Sequence, residues 1–105
     1  MTITDLRVKI RRAKTNQRKN DLFMSANRDD RFTLLQQMIL SMPKGTYLVS
    51  REGRAAPSLQ RAVIEKYGVY AGLEVDKKVI RALAIKYPKR VIASFTLGLD
   101  QVIIK

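Results

Sequence analysis

Hydrophobic and polar positions follow two periods along this chain. Across residues 25–42, SANRDDRFTLLQQMILSM, the residues Phe32, Leu35, Ile39 and Met42 recur at helical spacing, and Leu34 and Met38 widen the stripe. Ser25 or Asn27 can cap this helix, Asp29 and Asp30 suit the dipole of its first turn, and Pro43 with Gly45 stops it. GTYLVS, residues 45–50, is rich in strand formers, with Tyr47 and Val49 on one side. REGRAAPS follows as a polar turn. Leu59, Ala62, Val63 and Tyr67 then repeat at helical spacing, opened by Pro57 or Ser58 and closed by Gly68. VYAGLEV reads as a connector. Asp76 is placed to cap a further helix whose inner stripe is Ile80, Leu83, Ala84 and Tyr87 and which Pro88 ends. The last stretch changes period. Val91, Ala93, Phe95 and Leu97 face one way and Ile92, Ser94 and Thr96 the other, Gly98–Asp100 supply a turn, and residues 101–105 return as a β-hairpin.

The first twenty-four residues have a thinner apolar pattern. Leu6, Ile10, Ala13 and Gln17 would share one helical face, and Leu22, Phe23 and Met24 form an apolar knot that docks the segment on the rest. The chain therefore divides into a basic arm or helix, residues 1–24, and one small globular domain, residues 25–105. The fold class expected is α+β. No internal repeat or low-complexity block interrupts it.

Charge changes the picture most at this N-terminal segment. Residues 1–20 hold Arg7, Lys9, Arg11, Arg12, Lys14, Arg18 and Lys19 against a single acid, Asp5. Such a stretch repels itself unless a polyanion is near, and nucleic acid is the simplest such partner. The whole 105-residue chain has twenty-one cations, nine acids and a formal net charge of +12. An acidic protein or an anionic membrane surface would also meet that charge.

The chain has no cysteine, histidine or tryptophan. Without cysteine there are no disulfides, thiol nucleophiles or Cys-based zinc sites. Without histidine the commonest general base and metal ligand is missing, so serine–histidine and cysteine–histidine catalysis are ruled out. No apolar block reads as a signal peptide or a spanning helix. The Arg-rich, acid-poor start has the charge of a transit peptide but not its serines. Cysteine usage suits a cytoplasmic protein associated with a nucleoid or a ribonucleoprotein.

From about residue 28 to residue 105 the order is helix, strand, helix, helix, hairpin. This order resembles a winged-helix nucleic-acid-binding domain, in element order and length only. The connector Gly68–Val75 is longer than the turn of about 3–4 residues usual in a helix-turn-helix. The resemblance implies that the helix after Asp76 is a recognition helix. Lys77 and Lys78 would then meet phosphates, and Arg81 would reach a guanine through its fork of donors. Lys89 and Arg90 open the hairpin and could touch the backbone beside that helix. Arg54, between Arg51 and Arg61, could do the same. The hairpin tip is apolar and acidic, unlike a wing inserted in a groove. Leu99 and Ile103 are read as completing the core, with a protein contact as the alternative.

Aromatic residues in a basic protein can stack on unpaired bases. Tyr67 and Tyr87 lie on apolar helical faces and are read as core, and Tyr70, flanked by Gly68 and Gly72, as the free one. Glu74, Asp76 and Lys78 alternate in the manner of a nuclease metal site, but Asp76 is better explained as a cap. The expectation is a non-enzymatic nucleic-acid-binding protein, gripping DNA or structured RNA chiefly through the backbone, with no metal, cofactor or catalytic residue. The alternatives are a ribosomal or other ribonucleoprotein component, a metal-independent ribonuclease using Tyr70 or Arg81, and an adaptor for an acidic protein. A homodimer also stays open. Deleting residues 1–20 is expected to flatten the salt dependence of binding.

Overall fold

The basic segment folds as two helices, α1 (Ile3–Arg12) and α2 (Asn16–Met24). In α1 a capping box explains its lone acid: the Thr2 side chain accepts from the Asp5 amide at 3.0 Å, and the Asp5 carboxylate accepts from the Thr2 amide at 3.4 Å. Ala13 ends α1 in an extended conformation, and Thr15 caps α2 through the Arg18 amide. Gln17 consequently belongs to a different helix from Leu6 and Ile10, and the single face expected through residue 17 is broken at Ala13–Thr15. Ile10 and Phe23 are fully buried and Leu22 nearly so, and all three join the central core.

The remaining elements are α3 (Arg28–Leu40), β1 (Gly45–Leu48), α4 (Leu59–Tyr67), α5 (Val69–Leu73), α6 (Lys77–Lys86), β2 (Val91–Thr96) and β3 (Leu99–Ile104). This structure, a computed structural model, describes residues 1–54 and 56–105. Among the described residues the protein is α+β, with six helices and one three-stranded antiparallel sheet. Asn27, Ser58 and Asp76 each cap the following helix by accepting a backbone amide three residues on. Ser25 instead ends α2, its hydroxyl donating to the Leu22 carbonyl at 2.6 Å, which sets the start of α3 later than the apolar stripe suggests.

The sheet order is β1-β3-β2. Tyr47 opposes Val102, which in turn opposes Ala93, so one face carries Tyr47, Val102, Val91 and Ile104 into the core. Ile92 opposes Ile103 on the other face, where Ile92 is partly exposed. The hairpin turns at Leu97–Gly98, one to two residues before the position expected, with Gly98 at φ +82°. Leu97 is therefore fully exposed instead of facing the core, and Leu99, 44% exposed, does not complete it.

The segment read as a connector is itself helical. α5 begins at once after α4, and its first amides are satisfied from α2: Asn16 Oδ1 accepts from Val69 at 2.9 Å and Asn20 Oδ1 from Tyr70 at 3.1 Å. Gly72 lies against α4, where a Cβ would overlap Ile64 Cγ1. The helix disfavours glycine, but this close approach requires one. α1 and α2 pack on α3, α4 and α5, whereas α6 packs on β2.

Candidate nucleic-acid interface

The cations identified from the sequence are used differently, and two groups of them stand out. In the first group Lys9, Arg11, Arg12, Lys14 and Arg18 are exposed on α1, α2 and the bend between them. Among the described residues none of their side chains has a hydrogen-bond or ion-pair partner. Lys9, Arg11 and Arg12 occupy the last turn of α1, where cations suit the helix dipole. That effect accounts for their placement at one helix end, but Lys14 and Arg18 lie beyond its reach. Lys9, Arg12 and Arg18 rim an open groove whose other lining residues are Asp5, Val8, Ala13 and Leu22.

Two members of this basic segment are structural. Lys19 Nζ donates to the carbonyls of Ile10 at 2.9 Å, Arg11 at 3.1 Å and Lys66 at 3.0 Å. It thus closes the C-terminal ends of α1 and α4 with one ammonium group. Burial, followed by the charge of Arg11, lowers its pKa from the ordinary lysine value. Arg7 is half-buried and donates through Nη1 to the Tyr67 hydroxyl at 3.4 Å, and that hydroxyl is 2.8 Å from Ser41 Oγ. Tyr67 is buried, as its position on the α4 stripe implied.

The second group is held by the hairpin. Lys77 Nζ lies 3.2 Å from Asp100 Oδ2 and 6.0 Å from the Phe95 ring centre, and the Arg81 guanidinium sits over the same ring at 5.1 Å. Asp100 and Phe95 are directly opposed on β3 and β2, so a single cross-strand pair engages both cations. Lys78 points elsewhere and lines a cavity with Arg28, Arg31, Phe32, Leu73 and Glu74. Arg28 and Arg31 were not singled out by the sequence, although their spacing puts them on one face of α3. Arg31 is tied down there: Nη1 donates to the Ala26 carbonyl at 2.6 Å, and Nε lies 3.9 Å from Glu74. Asp76 Oδ1 accepts from the Val79 amide, the capping role expected for it.

Of the remaining candidates, Lys89 is exposed. Arg90 is committed to the fold, with Nε donating to the Lys105 carbonyl at 3.1 Å and Nη2 to the Leu40 carbonyl at 3.2 Å. Arg54 is exposed in the loop before α4. Arg51 reaches the hairpin turn, donating to the Gly98 carbonyl at 3.1 Å, while Arg61 pairs with Glu52 and Glu65. Tyr70 is about half exposed on α5. No helix among the described residues is long and apolar enough to cross a membrane. Among the described residues the arrangement thus offers anions a set of five uncommitted cations on α1 and α2, a smaller one of Arg28 and Lys78, and the partly engaged Lys77 and Arg81 of α6. No model of a known protein family matches the chain, and no curated protein or solved structure matches it either.

Proposed function

We propose that the protein binds nucleic acid without catalysing a reaction, chiefly through phosphates, with α1 and α2 as the anchor. The observation that carries this reading is the set of five exposed, unpartnered cations, Lys9, Arg11, Arg12, Lys14 and Arg18, on one helical pair. Holding like charges together with only Asp5 and Asp21 on the same helices costs energy that a phosphate backbone returns through counterion release. Apart from α5, inserted between α4 and α6, the order α3, β1, α4, α6, β2, β3 supports a winged-helix-like architecture for the rest. In that reading α6 lies along the nucleic acid, and Lys78 is its uncommitted phosphate contact. Lys77 and Arg81 brace α6 against the hairpin, so sequence readout by Arg81 requires its guanidinium to serve Phe95 and a base edge together.

The test is equilibrium binding of labelled duplex DNA and structured RNA across a range of salt. Five phosphate contacts give a slope of log K against log salt of roughly −4.5 on a duplex. Absence of binding to either nucleic acid at low salt overturns the reading. Deleting residues 1–20 is the wrong probe, because it also removes the buried Ile10 and the ammonium of Lys19. Substitution of the five exposed cations separates charge from fold.

A further inference from the structure

The groove between α1 and α2 has a feature that phosphate binding alone does not use. Beneath its cationic rim the floor is apolar, formed by Val8, Ala13 and Leu22. The cavity measures about 540 Å³, within the range of roughly 300–1,000 Å³ typical of small-ligand sites. A duplex presents phosphates and base edges but keeps the base faces stacked inside, so it has nothing to lay on such a floor. An unpaired nucleotide has both halves, an apolar base face and flanking phosphates.

The two ends of the groove also differ in charge. Asp5, Lys9 and Arg12 follow one another along α1 at spacings that keep them on one side of the helix, an acid at one end and cations at the other. Phosphate is favoured at the Arg12 end. At the Asp5 end a carboxylate repels phosphate and accepts from the amino groups of a base edge. Arg11 and Lys14 do not line the groove but are exposed beside Arg12 and Ala13 in the chain, where neighbouring phosphates of a continuing strand can reach them.

Building on the nucleic-acid reading, we propose that this groove receives one unpaired nucleotide of a single strand. Its base lies on Val8, Ala13 and Leu22, and its phosphates meet Arg12 and Arg18. The preferred ligand class is then single-stranded nucleic acid, or an unpaired loop or end, rather than uninterrupted duplex.

The experiment compares an unstructured single strand with a blunt duplex of equal length, using the full chain at one salt concentration. Val8→Met fills the floor without changing charge or adding a ring on which a base stacks, and Ala13→Leu does so from the other side. Each filled variant is expected to bind the single strand about tenfold more weakly, equivalent to ~1.4 kcal/mol, while duplex affinity stays unchanged; a melting curve of each variant checks that it is folded at the assay temperature, since Ala13 packs against the core. Parallel losses on both ligands, or no loss on either, overturn the nucleotide pocket but leave phosphate binding standing. If the wild-type chain binds neither ligand at low salt, the underlying reading fails as well. Displacement of the single strand by a Glu- and Leu-rich peptide at lower concentration than by unlabelled strand assigns the groove to a protein and overturns the proposal. A halogenated-uracil single strand supplies a readout free of substitutions. Photocrosslinks to residues 5–22 of the wild-type chain support the pocket, and crosslinks confined to other segments contradict it.

Discussion

The α1–α2 pair and the α6–hairpin unit both show clusters of Lys and Arg in the sequence, yet the fold uses them in opposite ways. On α1 and α2 Asp5 serves a capping box, Asp21 pairs with no cation among the described residues, and five cations are left facing solvent. On α6 the acid and the ring of one cross-strand pair, Asp100 and Phe95, engage two of the three candidates. Formal charge counts the two regions alike. What differs is how many cations have a partner within the fold, and that quantity, not charge density alone, sets how freely each region meets a phosphate.

Neutralising the free set is the strongest way to break this comparison. Replacing Lys9, Arg11, Arg12, Lys14 and Arg18 by Gln should weaken nucleic-acid binding at least about a hundredfold at physiological salt. The thermal midpoint should move little, since these side chains are exposed and have no hydrogen-bond or ion-pair partner among the described residues. Filter binding and a melting curve measure the two effects on one sample.

Lys19 sharpens the comparison from within the first region, because it is a neighbour in sequence with a different use. Lys19→Met leaves three carbonyls without their shared donor and should cost about 2 kcal/mol in a denaturant titration. Its pH behaviour follows from the lowered pKa. Between the folded-state value and 10.5, the ordinary value, the unfolded chain holds more protons on this group, so its contribution to stability rises with pH in that window. Below the folded-state value both states are protonated and the slope vanishes. Lys19→Met should remove this rise.

Smaller effects are expected on the second region. Phe95→Leu removes the ring beneath Arg81 and Lys77 and should destabilise the protein by about 1 kcal/mol, with little change in the salt slope of binding. Asp100→Asn should act the other way on binding. It frees Lys77 and should steepen the slope by at most about 1. An unchanged slope would show that Lys77 does not face the nucleic acid even when released.

Much of the fold was readable because its signals are local. Asn27, Ser58 and Asp76 cap through amides three residues on, and the stripe of α4 or α6 repeats within a few turns. What was not readable depends on distant partners. α5 is capped by Asn16 and Asn20, about fifty residues earlier in the chain, and its Gly72 looks like a helix breaker until Ile64 is seen against it. The hairpin turn was misplaced because Gly98 marks the second turn residue here, not the first, which carries Leu97 out of the core. The site shows the same division. The basic stretch of residues 7–19 was evident at once, but nothing local told Lys19 from Lys14, or Arg81 from Arg18. The apolar floor of the groove was hidden for a similar reason: Val8 and Leu22 come together only when the chain bends at Ala13–Thr15.

The central claim is that α1 and α2, rather than α6, carry most of the uncommitted charge, and two triple variants of equal charge change test it most directly. One replaces Arg11, Arg12 and Arg18 by Gln, and the other replaces Lys77, Lys78 and Arg81 by Gln. The measurement is the slope of log K against log salt on a single labelled duplex. The account predicts that the first variant flattens the slope by about 2.7 and the second by about 1 at most. Equal flattening, or a larger change from the α6 variant, would contradict it.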